Sequence, residues 1–128
     1  YKRQNHGITI LIEPLNLLDT PGYHLSDLDH AIETQDAVNK PNLKIMFDCY
    51  HIQVMQGNLL LRLKEHLPRI GHIQFANCPG RTEPDSGEIN FSWLFTEIDS
   101  IGWEGYIGAE YLPKTTTEES LGWIRNYL

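Results

Sequence analysis

The stretch LKIMFDCYH, residues 43–51, decides the fold. Its first six residues form a short apolar run that follows the turn-forming Asn39-Lys40-Pro41-Asn42, and they read as a β-strand. Side chains alternate along a strand, so Ile45 and Phe47 share one face and Asp48 points to the other. A carboxylate therefore closes a strand that is otherwise apolar. The arrangement recurs three times. Residues 8–14 (ITILIEP) put Glu13 opposite Ile10 and Ile12, residues 70–76 (IGHIQFA) put Gln74 opposite Ile73 and Phe75, and residues 106–111 (YIGAEY) put Glu110 opposite Ile107 and Ala109.

Amphipathic segments separate these strands. Ser26 is placed to cap a helix that runs to Val38, with Leu28, Ala31 and Ile32 on its buried stripe. A second helix starts near Asn58, carries Leu59, Leu60, Leu63 and Leu67 at helical spacing, and stops at Pro68. After a long loop, residues 77–90, a third helix presents Phe91, Leu94, Phe95 and Ile98, and Gly102 follows it. Thr116 and Glu119 form a capping box opening a last helix, with Leu121, Ile124 and Leu128 expected to face the core. Trp93, Trp103 and Trp123 fall on or beside helices and read as packing residues.

The pattern is βα repeated four times. It implies parallel strands joined by right-handed crossovers, as an open doubly wound sheet or as half of a (β/α)₈ barrel. A whole barrel needs about 250 residues, and this single domain has 128, so the α/β half-barrel is expected. The lack of a methionine at position 1 agrees with that expectation. In a barrel, Glu13, Asp48, Gln74 and Glu110 would all point to the axis and meet at the C-terminal face, where such folds keep their sites. Three carboxylates and an amide oxygen make a hard ligand set that favours Mg²⁺ or Mn²⁺ over zinc. His51, Arg81 and, less directly, Asp19 stand in the adjoining loops as substrate contacts, Arg81 being suited to a carboxylate. Asp19 also precedes Thr20-Pro21-Gly22 and could organise a turn, and His72, one layer below Gln74, could be barrel filling.

A net charge of −7 argues against a nucleic-acid partner, and no apolar run is long enough to span a bilayer, which needs roughly 18–20 residues. Residues 1–7 begin no signal peptide, and Cys49 and Cys78 are too few for a disulfide framework. Two reduced thiols in a cytoplasmic protein are the expectation.

The runs IEPLN (12–16), FDCYHIQVMQGNL (47–59), GHIQFANCPGRTEPDSGEINFSWLF (71–95) and GYIGAEYLP (105–113) resemble hydroxypyruvate isomerases and the related 2-oxo-tetronate isomerases, of the xylose-isomerase-like barrel superfamily. The resemblance covers nearly the whole chain and corresponds to strands five to eight of that barrel. It implies Glu13, Asp48, Gln74 and Glu110 as metal ligands, Glu13 and Glu110 as the proton-transfer pair, and His51 and Arg81 as substrate contacts. Asp19 falls where related ketose epimerases carry a substrate-contacting acid. The implied reaction interconverts hydroxypyruvate, or a related 2-oxo-tetronate, with its aldehyde isomer through an enediolate. A ketose epimerase, an endonuclease of abasic sites, a sugar-acid-binding module and a catalytically inactive half-barrel are the competing readings. An isolated half-barrel exposes two sheet edges, so a homo-oligomer or a separate N-terminal half-barrel is the expected macromolecular partner.

Overall fold

The structure, a computed structural model, describes residues 7–127. Four strands form one parallel sheet in the order β1-β2-β3-β4: β1 Ile10–Ile12, β2 Leu43–Asp48, β3 Ile70–Phe75 and β4 Ile107–Ala109. Between and after them run α1 Leu28–Val38, α2 Cys49–Met55, α3 Leu59–His66, α4 Phe91–Ser100 and α5 Thr117–Ser120. Short 3-10 segments cover Leu67–Arg69 and Leu121–Asn126. The βα alternation expected from the sequence is present throughout. No helix among the described residues is long and apolar enough to cross a membrane.

The core lies between the sheet and the helices. Ile45, Phe47 and Ile73 are fully buried, Phe75 nearly so, and they pack against Leu28, Ala31, Ile52, Leu63, Phe91, Leu94 and Ile98. Burying apolar area contributes about 25 cal/mol per Å², and this contact fixes which face of the sheet the helices cover. The opposite face of β2 and β3, with Lys44, Met46, His72 and Gln74, is only half-buried.

Gly71 keeps the two strands in phase. Ile45 pairs with Ile70 and Met46 with His72, so Gly71 is one extra residue, a bulge. A Cβ at Gly71 would stand 2.6 Å from the Lys44 Cβ and 2.7 Å from the Leu11 Cδ2, so no side chain fits there. Beyond the bulge Asp48 and Gln74 are register partners.

Several expectations are corrected. Asp27, one position after Ser26, caps α1: its side chain accepts the His30 N–H at 2.8 Å. The edge strands β1 and β4 are three residues each, since only the residues paired with their single neighbour stay in the ladder. Ile8 and Tyr106, expected within strands, are exposed, and so is Ala109, expected under a helix. The chain enters α2 directly from β2, with no turn residue to mark the boundary in the sequence. The last helix is one α-helical turn followed by a 3-10 segment. Its buried residue is Trp123, while Leu121 and Ile124 are exposed; Leu128 lies outside the described residues. Of the other tryptophans, Trp103 packs on the core and Trp93 is half-exposed.

Residues 77–90 lie in the long connection between β3 and α4, and buried Asn77 organises it. Its amide donates to the Pro84 and Ile89 carbonyls, and its Oδ1 accepts the N–H groups of Cys78 and Ile89. Gly87, at φ 134°, lies so close that a Cβ there would meet the Cys78 carbonyl oxygen at 2.4 Å and the Asn77 Oδ1 at 2.5 Å. Gly87→Ala is therefore expected to lower stability by about 1–3 kcal/mol in urea unfolding. Gly122→Ala, with nothing within 4 Å of the new methyl, is expected to leave the midpoint nearly unchanged.

Candidate metal and substrate site

Asp48 is both the last residue of β2 and the N-cap of α2. It is fully buried, and its Oδ1 accepts the Tyr50 N–H at 2.8 Å. That bond aims Oδ2 out of the sheet, where it has no hydrogen-bond partner among the described residues. Three more buried polar atoms share that condition at the same end of the sheet: Glu13 Oε1 just past β1, Gln74 Oε1 beside Asp48, and His51 Nε2 in the first turn of α2. Glu13, Asp48 and His51 present ligand-type atoms that all lie within 4.8 Å of one another. An isolated buried polar atom without a partner is costly, on the order of 1–3 kcal/mol. Four at one strand-end surface mark the place of a polar ligand. The oxygens of Glu13, Asp48 and Gln74 fit a hard divalent cation in donor type.

Electrostatics agree with the geometry. Burial pushes the Glu13 carboxyl up to about 7, and the charges of Asp48 and Glu110 push the same way against Arg81. Burial likewise pushes Asp48 up to about 6, while the Tyr50 N–H and Arg81 oppose it. His51 is driven down to about 4, mainly by burial and then by Arg81. A cation placed among these groups would favour the charged carboxylates.

Glu110 follows β4 and is more exposed than the others. The Arg81 guanidinium contacts its carboxylate directly and lies 3.8 Å from the Asp48 Oδ2. Arg81 has a left-handed backbone, φ 55°, which is unfavourable for a side chain of its size. The Leu112 N–H, donating to the Arg81 carbonyl at 2.7 Å, ties that backbone to the segment after β4. The Tyr50 ring lies under the guanidinium, 5.4 Å from its centre. Asp19, Tyr50, Arg81, Glu110 and Tyr111 line a cavity of about 460 Å³, a size suited to a small metabolite.

Asp19 lines this cavity, but its Oδ2 accepts both the Asn16 amide at 2.9 Å and the Tyr50 hydroxyl at 2.7 Å. Those two bonds hold its carboxyl below the ordinary carboxylate range. The turn expected at Asp19 is present, with the Asp19 N–H on the Asn16 Oδ1. His72 packs on β4, its Nε2 lying 2.9 Å from where a Cβ on Gly108 would stand. Cys49 and Cys78 are free and buried. Asn16 and Tyr50 escaped the sequence reading. Tyr50 adjoins His51 in FDCYH and Asn16 closes IEPLN, so their signal was adjacency to site residues, which spacing alone does not separate from packing.

Comparison with known proteins follows the same outline. A family model described as xylose isomerase-like TIM barrel matches residues 2–127. The chain is 46% identical over 122 residues to a 2-oxo-tetronate isomerase of Cupriavidus necator, covering 95% of this chain and 47% of the relative. It is 44% identical over 120 residues to the hydroxypyruvate isomerase of Escherichia coli, covering 94% and 46%. The crystal structure of a protein named AP endonuclease, family 2, from Brucella melitensis superposes with a TM-score of 0.94 at 40% identity, covering 98% of this chain and 49% of that one. The chain thus spans about half the length of the relatives it matches. With its parallel half-barrel sheet and polar strand ends, the chain belongs to the xylose isomerase-like TIM barrel family.

Proposed function

We propose that this chain supplies the site-bearing half of a metal-dependent isomerase of small sugar acids, acting on hydroxypyruvate or a related 2-oxo-tetronate. The observation that carries the reading is the group of buried, unpartnered polar atoms of Glu13, Asp48 and Gln74 at one end of the sheet. The names of the isomerase relatives supply the substrate class. Glu13, Asp48, Gln74 and Glu110 would hold Mg²⁺ or Mn²⁺, Glu110 by leaving part of its contact with Arg81. When bound, the ion would stabilise negative charge developing on the substrate's oxygens.

The chain's own groups divide the remaining work. Arg81, anchored over Tyr50, binds the substrate carboxylate. His51 contacts a substrate oxygen through Nε2. Glu13, a carboxylate when the site is loaded, removes a proton from the hydroxyl-bearing carbon of hydroxypyruvate. Glu110, entering the step protonated, gives its proton to the neighbouring carbonyl carbon, and the hydroxyl proton passes to the former carbonyl oxygen. Exchange with solvent then takes the proton from Glu13 and restores one to Glu110. The half-buried second face of β2 and β3 supports closure of the barrel by a further half, on a longer chain or a paired one. Nuclease action, suggested by the name of one solved relative, is disfavoured by the net charge of −7.

In the closed barrel, Glu13→Gln is expected to cut hydroxypyruvate turnover by about 10²–10⁴-fold, with the circular dichroism spectrum unchanged. Retained turnover would remove Glu13 from the reaction. Chelation is expected to abolish turnover, and Mn²⁺ to restore it.

The carboxyl groups also set a pH dependence. Glu13 and Asp48 take up protons below about 7 and about 6, and a cation must displace those protons to bind. Mn²⁺ affinity, read by calorimetry, is therefore expected to weaken as pH falls from 8 to 5. Loss of up to about tenfold per pH unit is expected for each group below its own midpoint. A flat profile would show that these carboxyls do not meet the ion.

A further inference from the structure

Asn16 is fully buried, and every polar atom it has is engaged. Its backbone N–H donates to the His51 Nδ1 at 3.1 Å, and its side-chain amide nitrogen lies 2.7 Å from the same atom. The amide is oriented by Asp19, whose N–H donates to the Asn16 Oδ1 and whose Oδ2 accepts from the Asn16 Nδ2, both at 2.9 Å. The Tyr50 hydroxyl donates to that same Oδ2 at 2.7 Å, and the Asn16 carbonyl accepts from the Thr20 N–H and hydroxyl.

A backbone N–H is always a donor, so the ring nitrogen it meets must carry a lone pair. The His51 Nδ1 is then unprotonated, and the neutral ring carries its hydrogen on Nε2. Nε2 is the buried ring atom without a hydrogen-bond partner among the described residues, and His51 lies in one cluster with Glu13 and Asp48. A nitrogen bearing a hydrogen has no lone pair to give a cation, so the proximity of His51 to the two carboxylates does not make it a ligand.

The geometry points to Asn16 as a positioning residue, held by Asp19 and Tyr50, that fixes His51 as the Nε2–H tautomer so that it donates a hydrogen bond to a substrate oxygen. Asp19 then acts through Asn16, which gives the acid of this loop a role one step removed from the substrate. The inference deepens the isomerase reading and rests on it for the identity of the oxygen.

The test reads the ring itself, without substrate or metal. Protein labelled with ¹⁵N-histidine is examined by long-range proton–nitrogen correlation, with His51 assigned by its loss in His51→Gln. The expected spectrum shows Nδ1 unprotonated and Nε2 protonated; a protonated Nδ1 overturns the inference. In Asn16→Asp the backbone N–H of residue 16 still donates to Nδ1 but the side chain offers it only acceptors, so the Nδ1–H form is expected to gain population. The same variant is expected to raise KM on the order of tenfold by loss of the donor. An unchanged population there overturns the role of the Asn16 side chain and leaves the tautomer to the backbone N–H alone. Should that variant fail to fold, the wild-type spectrum and the binding of Mn²⁺ to His51→Gln still decide. A change in Mn²⁺ affinity below about tenfold is expected, and a larger loss would make His51 a ligand. The spectrum needs no turnover, so it can contradict this inference while metal-dependent isomerisation stands, and the reverse.

Discussion

Asp48 is the residue on which the arrangement depends, because one buried carboxylate serves two structures at once. Its Oδ1 closes the first turn of α2, and its Oδ2 faces the site. Phe47, one residue earlier, is fully buried on the opposite face against the helices, so Asp48 cannot rotate away without withdrawing a core aromatic. The helix it starts carries Tyr50 and His51 in its first turn, which places both rings within three residues of the carboxylate. Ligand position, helix start and ring orientation are therefore coupled through a single strand end.

That coupling explains how much was legible in the sequence. Strand parity needs only the two-residue alternation, so Asp48 and Gln74 opposite Ile45, Phe47, Ile73 and Phe75 could be read directly, but their register partnership depends on the extra residue at Gly71. The bulge at Gly71 was not legible, since a glycine in a strand looks the same whether it is paired or extra. Nor was α2, because its one start signal, Asp48, is also the last residue of β2 and reads equally as a strand-end carboxylate. Asp27 displaced Ser26 as the cap because both are good N-cap residues, and the register of the buried stripe at Leu28 chose between them. The site's contacts were less legible than its residue types. Asp19 has the composition of a substrate-binding acid, but its hydrogen bonds run to Asn16 and Tyr50, and only coordinates reveal that.

The site also divides by element type. Glu13, Asp48 and Gln74 come from strand ends and the residue just beyond, where the sheet ladder and the core hold the backbone. Asp19, Arg81 and Tyr111 come from the connections, and the left-handed backbone at Arg81 is flanked by the Asn77–Thr82 backbone pair and tied by the Leu112 N–H rather than held in a ladder. Atoms that must share an ion need placement within a few tenths of an ångström, which strands supply. Groups that select a substrate can vary with loop sequence while the strands stay constant. Family membership therefore carries the fold further than it carries the substrate, and relatives named as isomerases alongside one named as an endonuclease accord with that division.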